Sequence, residues 1–381
     1  MNLSYILNHL GEHREDYNNA ITPPIAQTSN FMYNTVAEFR KAFEDEKQVH
    51  LYSRGNNPTK KIVEEKIAAL EGTDDCLLTA SGVAAIATAI ISQLKAGDHV
   101  VCVEHCYSWT NHLFREILPR FNIETTFING SITANFENAI RKNTTMFFLE
   151  SPTTMFFELQ DLEAVCKIAK QHNIVTLIDN SYASPLGQQP HKLGVDLVLH
   201  TATKYLNGHS DVVAGAICGS KEMLAKIFHN EYLTLGCALS PMNAWLILRA
   251  LRTLPIRIKQ SSESAQKVIA FLQQHPKTEK IYYPFLESHL QHELAQKQMK
   301  IPMGLFSVEF KCNDKNKMEQ FAESLKYFMM AVSWGGHESL VIPAVAFPEP
   351  NEFKTGFVRF YIGLEEADVL ISDLEQALQL I

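Results

Sequence analysis

The chain has 381 residues, 46% of them apolar and 20% charged, with a formal net charge of -8. That balance fits a soluble protein large enough for more than one core, and without a Lys/Arg cluster it argues against a nucleic-acid partner. No apolar run is long enough to span a bilayer, and the first twenty residues lack the basic start and apolar core of a signal peptide. The closest pair of the seven cysteines, Cys102 and Cys106, has no second pair at ligand spacing, so reduced cytoplasmic thiols are expected rather than a metal site.

Residues 1–48 read as an arm with little core of its own. The paired prolines of ITPPIAQTSNF forbid a helix, and VAEFRKAFED supplies a short one. From Lys60 the patterns alternate: helices KKIVEEKIAALEG and GVAAIATAIISQL, strands HVVCVE and TTMFFLE, helix DLEAVCKIAKQHN, then strands IVTLIDN and LVLHTAT. The strands are nearly continuous apolar runs, as expected where helices cover both faces. The pattern predicts an α/β domain over residues 49–237 with a mainly parallel sheet. Beyond Cys237 come long helices, strands GLFSVEF and FVRFYIG, and a last helix ADVLISDLEQAL, the pattern of a smaller α+β domain over residues 238–381.

Open α/β sheets place ligands beyond the carboxyl ends of their strands. Asp179 ends IVTLID there, and Lys204 follows LVLHTAT. A capping aspartate and a surface lysine would explain each alone; together they suggest a cofactor held between them. Ser81, Gly82 and Val83 open a helix after an apolar stretch, where free backbone N–H groups suit a phosphate. The G-x-G-x-x-G fingerprint of a dinucleotide site is absent, which argues against a nicotinamide oxidoreductase.

Seven segments stand in one order: YSRGNNPTKKIVEEKIAALEG, SGVAAI, ESPTT, LIDNSYASP, HTATKYLNGHSDVVAG, SWGGHESL and VRFYIGLEE. From about Thr22 to Leu378 the chain resembles the transsulfuration family of pyridoxal-phosphate enzymes in cysteine and methionine metabolism. The resemblance implies a fold-type I architecture, pyridoxal 5'-phosphate as cofactor, a small amino-acid substrate and a homo-oligomer, a tetramer of two dimers. It implies that Lys204 carries the cofactor and, once freed, removes the substrate's Cα proton. Burial among apolar groups would make its amine more available. Asp179 would pair with the pyridine nitrogen, and Tyr107 would stack on the ring and share in proton transfer. Thr201 and Thr203, two apart along a strand end, would turn their hydroxyls to the phosphate beside Ser81, Gly82 and Val83. Tyr52 and Arg54 would reach a neighbouring subunit's phosphate. Arg359, a lone charge in the strand FVRFYIG, would grip the substrate carboxylate with its planar fork, near Ser333 and Trp334; an interdomain ion pair is the other account of it.

Three positions bear on the reaction. Thr154 stands where an asparagine is common in the family, Trp334 where γ-acting members more often have leucine, and Val332 where several of them have glutamate. All three resemble the cystathionine β-lyases, which release homocysteine, pyruvate and ammonia from cystathionine. Against that, Gly55 stands where some members that bind cystathionine or a similar long substrate carry a second arginine, and methionine γ-lyases can also carry valine at the place of Val332, although their characteristic cysteine is Ser108 here. The γ-synthases and γ-lyases are the alternatives within the family, and a catalytically idle cofactor-binding scaffold is the alternative outside it. Retention of Lys204, Asp179, Tyr107 and Arg359 together argues against the scaffold.

Overall fold

Helix α3, Pro58–Glu71, shows how local chemistry builds the larger layer of the computed structural model, which describes residues 1–348 and 351–381. Asn57 caps it by accepting from the N–H of Thr59, Pro58 takes the first turn where no donor is needed, and Gly72 closes it at φ 78°. Val63, Ile67 and Leu70 are buried on one face against the sheet.

That sheet has seven strands: β1 Asp75–Thr79, β2 His99–Val103, β3 Glu124–Ile128, β4 Thr144–Glu150, β5 Val175–Asp179, β6 Leu197–His200 and β7 Gly215–Gly219. Their order is β1-β7-β6-β5-β4-β2-β3, with β7 antiparallel to both neighbours and every other pair parallel. The expected mainly parallel sheet with helical layers is present. Three strands lay outside the sequence reading as strands. β1 read only as an apolar stretch, β3 carries the exposed Glu124 because it lies at the edge, and β7 has glycine at both ends with no alternation.

The second sheet runs β10-β11-β12-β9-β8, from β8 Thr278–Tyr282, β9 Leu305–Phe310, β10 Met329–Met330, β11 Leu340–Pro343 and β12 Phe357–Tyr361. The helices Leu254–Gln274 and Ala367–Leu378 cover it through a core containing Val268, Phe306, Phe360, Leu370 and Leu374. The two sheets meet at the loop after β6. There Tyr205 accepts from the N–H of Gly304 at 3.1 Å, and Arg257 donates to the Tyr205 carbonyl at 2.9 Å.

The arm is more firmly held at its start than its composition suggests. Helix α1, Leu3–Asn8, buries Ile6 and Leu7 against α3. The Lys66 ammonium donates to the Ile6 carbonyl at 2.8 Å and pairs with buried Glu12 at 3.1 Å. Farther along, Met32, Val36 and Phe43 stay 84%, 73% and 65% exposed, an apolar surface that this chain alone leaves uncovered.

Candidate active site

Three strand ends converge on one cleft. β4 delivers Glu150 and β5 delivers Asp179 as direct cross-strand partners, and β6 hands the chain to the loop that carries Lys204. The cleft encloses about 1110 Å³ and is lined by Tyr107, Glu150, Asp179, Thr201 and Lys204 from the first layer. Ser333, Trp334 and Arg359 line it from the second.

Lys204 donates to Ser333 Oγ at 2.5 Å, and its ammonium lies 5.4 Å from the centre of the Trp334 ring. Burial, reinforced by the charge of Arg359, lowers the amine to about 8. Trp334 is held in turn against Tyr205, with ring centres 5.5 Å apart. Ser333 sits at φ 88° and Gly335 at φ 85°. A Cβ on Gly335 would come within 3.0 Å of the Lys204 backbone, so glycine lets this segment close over the lysine.

Arg359 is 9% exposed, and its contacts are the Met155 sulfur at 3.6 Å and the Ser333 carbonyl at 3.4 Å. No carboxylate pairs with it among the described residues, and burial lowers it to about 10. The alternative account, an interdomain ion pair, is therefore not formed within these residues. A buried guanidinium facing a cleft without a counter-ion is suited to a ligand carboxylate.

Asp179 is 6% exposed and accepts from the N–H of Ser181 at 2.9 Å; burial raises its carboxyl above the usual range. Beside it Glu150 is raised to about 8 by burial and then by the neighbouring carboxylate. Glu150 accepts from the N–H of Tyr107 at 2.7 Å through one oxygen and from that of Thr154 at 2.7 Å through the other. It thereby ties two loops of the cleft together. Burial, followed by Asp179 and Glu150, raises the Tyr107 phenol. The sequence reading missed Glu150, which ends an apolar strand as Asp179 does; that position was its signal. At the rim His105, at φ 58°, meets Glu158 at 2.9 Å, a bond that raises the imidazole.

The opening of α4, Gly82–Ser92, lies against the lysine loop. Ser81 caps it by accepting from the N–H of Ala84 at 3.0 Å. A Cβ on Gly82 would collide with the Thr201 side chain, so glycine permits this close approach. The strand ends at His200, before either threonine. Thr201 lines the cleft, but the Thr203 hydroxyl donates to the Ala214 carbonyl at 3.2 Å and accepts from its N–H at 3.0 Å. The expected convergence of both hydroxyls is thus corrected, because the alternation of a strand does not extend to Thr203. Tyr52 and Arg54 do not line the cleft of their own chain; Arg54 stacks on Tyr52 at 5.3 Å, and Tyr52 is 44% exposed.

A family model described as Cys/Met metabolism PLP-dependent enzyme matches residues 5–379. The chain belongs to this family. It is 39% identical over 367 residues to the L-methionine gamma-lyase of Fusobacterium nucleatum subsp. polymorphum, covering 93% of each chain. It is 36% identical over 380 residues to the cystathionine beta-lyase of Lactococcus lactis subsp. cremoris strain MG1363, covering 97% of each. The crystal structure of metB from Corynebacterium glutamicum superposes with a TM-score of 0.93 at 33% identity, covering all of this chain and 98% of that one. Membership of this Cys/Met family implies pyridoxal 5'-phosphate and confirms the expected fold class and cofactor. The residues present fit it. The glycine-opened helix start beside Thr201 suits a phosphate, buried Asp179 suits a pyridinium, and Lys204 offers a partly neutral amine.

Proposed function

We propose that the protein is a carbon-sulfur lyase that cleaves cystathionine on its β side, giving homocysteine, pyruvate and ammonia, in a site completed by a second copy of the chain. The observation that carries the reading is Trp334, which stands where γ-acting members more often have leucine and lies with its ring centre 5.4 Å from the Lys204 ammonium. Elimination at the β carbon needs a base at Cα alone, whereas elimination at the γ carbon needs the proton at Cβ removed as well. Thr154 supports β cleavage from the sequence, and Ser108, where methionine γ-lyases have cysteine, speaks against the methionine-cleaving relatives.

In this reading Ser81, Gly82, Val83 and Thr201 hold the phosphate, and Thr203 fixes the lysine loop through Ala214. Asp179 would pair with the ring nitrogen and Tyr107 would stack on the ring. Pyridoxal phosphate, when bound, supplies an electron sink for the pair left at Cα. Arg359 orients the substrate through its α-carboxylate, so that the Cα–H bond faces Lys204. Lys204 takes that proton, and it or Tyr107 protonates the departing sulfur. Residues up to 237 would serve the cofactor and those beyond it the substrate. The exposed arm of Met32, Val36 and Phe43 would lie across a two-fold axis, carrying Tyr52 and Arg54 to the other copy's phosphate, with two such dimers forming a tetramer.

The second reading, γ elimination from methionine, is supported by the 39% identity to L-methionine gamma-lyase. Product analysis separates the two. Pyruvate and homocysteine from cystathionine support β cleavage; 2-oxobutyrate and cysteine, or rapid methanethiol release from methionine, replace it with γ cleavage.

A further inference from the structure

Lys60 is fully buried in the first turn of α3, far from the lysine loop in sequence and outside the cleft. Its ammonium donates to the Gly55 carbonyl at 3.0 Å and to the Tyr232 hydroxyl at 2.8 Å, and it lies 5.3 Å from the centre of that ring. Tyr232, also fully buried, donates from its hydroxyl to the Leu78 carbonyl at 2.7 Å. Leu78 is fixed from its other side, its N–H donating to Glu64 at 3.1 Å. The result is a continuous polar strut from Gly55 to β1.

Both ends of that strut matter. Gly55 follows Arg54 directly and closes the turn that carries it, its N–H donating to the Tyr52 carbonyl at 2.9 Å. Gly55 also packs closely on Phe228 and Leu233, where a Cβ would stand 3.1 and 3.2 Å from their side chains. The other end enters β1, whose Thr79 donates to the Ser81 carbonyl at 2.8 Å at the start of α4. Burying a lysine costs desolvation free energy, and an apolar side chain of equal length would fill the space without that cost. The ammonium supplies what an apolar chain cannot, a fixed donor to the carbonyl beside Arg54.

We propose that Lys60, braced by Tyr232, is a positioning residue for the cofactor site of the other subunit: it sets the turn that aims Tyr52 and Arg54 across the dimer axis. The inference rests on the reading that these two residues act on the second copy, and its test separates the two ideas. Lys60→Met keeps length and apolar volume. The variant should fold and dimerise, yet bind pyridoxal phosphate about ten-fold more weakly in an equilibrium titration. Tyr232→Phe, which keeps the ring and removes the brace, should shift the same constant in the same direction by a smaller factor. It carries the test if Lys60→Met does not fold.

Subunit mixing then locates the effect. In a hybrid of Lys60→Met with Lys204→Ala, the remaining lysine site belongs to the Lys60→Met chain but receives its arm from the Lys204→Ala chain. Borohydride fixation followed by mass analysis should therefore show cofactor on the Lys60→Met chain at wild-type affinity. An Arg54→Ala with Lys204→Ala hybrid, run in parallel, should recover in the same way. Wild-type cofactor affinity in both homo-oligomeric variants overturns the proposal, as does a defect that stays with the Lys60→Met chain while the Arg54→Ala control recovers. If the control also fails, the shared site is wrong and the role of Lys60 falls with it.

Discussion

Replacing Arg359 should move stability and substrate binding in opposite directions. The guanidinium is 9% exposed, has two weak contacts, and has no carboxylate partner among the described residues. Burial brings it from the ordinary guanidinium range to about 10. A fall of that size corresponds to roughly 3 kcal/mol of unrecovered desolvation, an upper bound because water and structural relaxation screen part of it. Arg359→Met should therefore raise the free energy of unfolding, measured by urea denaturation near pH 7, by about 1–3 kcal/mol. On the proposed reading, the same change removes a charge-assisted fork from the substrate carboxylate. Apparent affinity for cystathionine should fall by about ten-fold to a thousand-fold, about 1.4 to 4 kcal/mol. Arg359→Lys keeps the charge and loses the fork, so it should weaken binding without the gain in stability. Unchanged substrate affinity in Arg359→Met, combined with lower stability, would refute the reasoning and make Arg359 a structural residue.

The other expectations concern the amine and the carboxylate pair. Because Lys204 is lowered to about 8, uptake of pyridoxal phosphate by the apoprotein should quicken with pH and level off above about 8; in Arg359→Met, which loses a charge that lowers the amine, the profile should move to higher pH. A rate still climbing steeply past pH 10 would show an ordinary lysine. Glu150, raised to about 8, keeps its proton in the folded chain over a range where the unfolded chain has lost it. Its contribution to stability therefore falls as pH rises from the ordinary carboxylate range towards 8, and Glu150→Gln should flatten that slope in urea titrations at several pH values. An unaltered slope would mean that Glu150 is already ionised. Glu150→Ala, which unties the N–H groups of Tyr107 and Thr154, should lower kcat more than it raises KM, and unchanged steady-state constants would remove Glu150 from the positioning of Tyr107.

The parts of the site that could be read in the sequence share one property: each stands out against an apolar background. Asp179 and Lys204 follow strands of Val, Ile and Leu, and Arg359 interrupts another, so a charge at a strand end or inside a strand was conspicuous. Glu150 has the same setting but was absorbed into the motif ESPTT, and its distinctive feature, two backbone donors from separate loops, exists only in three dimensions. Thr203 failed for a geometric reason. The period of two that aligns side chains along a strand lapses where β6 stops at His200, and the next residues turn. Lys60 carried no signal of its own in the sequence, because its bracing partner Tyr232 lies 172 residues away. In the fold, β3 and β7 escaped notice because edge position and terminal glycines erase the continuous apolar signal that identified the central strands.

The claim on which the rest depends is that the cleft at the ends of β4, β5 and β6 holds the cofactor on Lys204. Reducing the holoprotein with borohydride, digesting it and locating the phosphopyridoxyl group by mass spectrometry tests this directly. The account predicts one stoichiometric label on the peptide spanning Thr201–Gly208, at Lys204, and loss of the yellow absorbance in Lys204→Ala. Stoichiometric label on any other lysine, or an intact chromophore in Lys204→Ala, would contradict it.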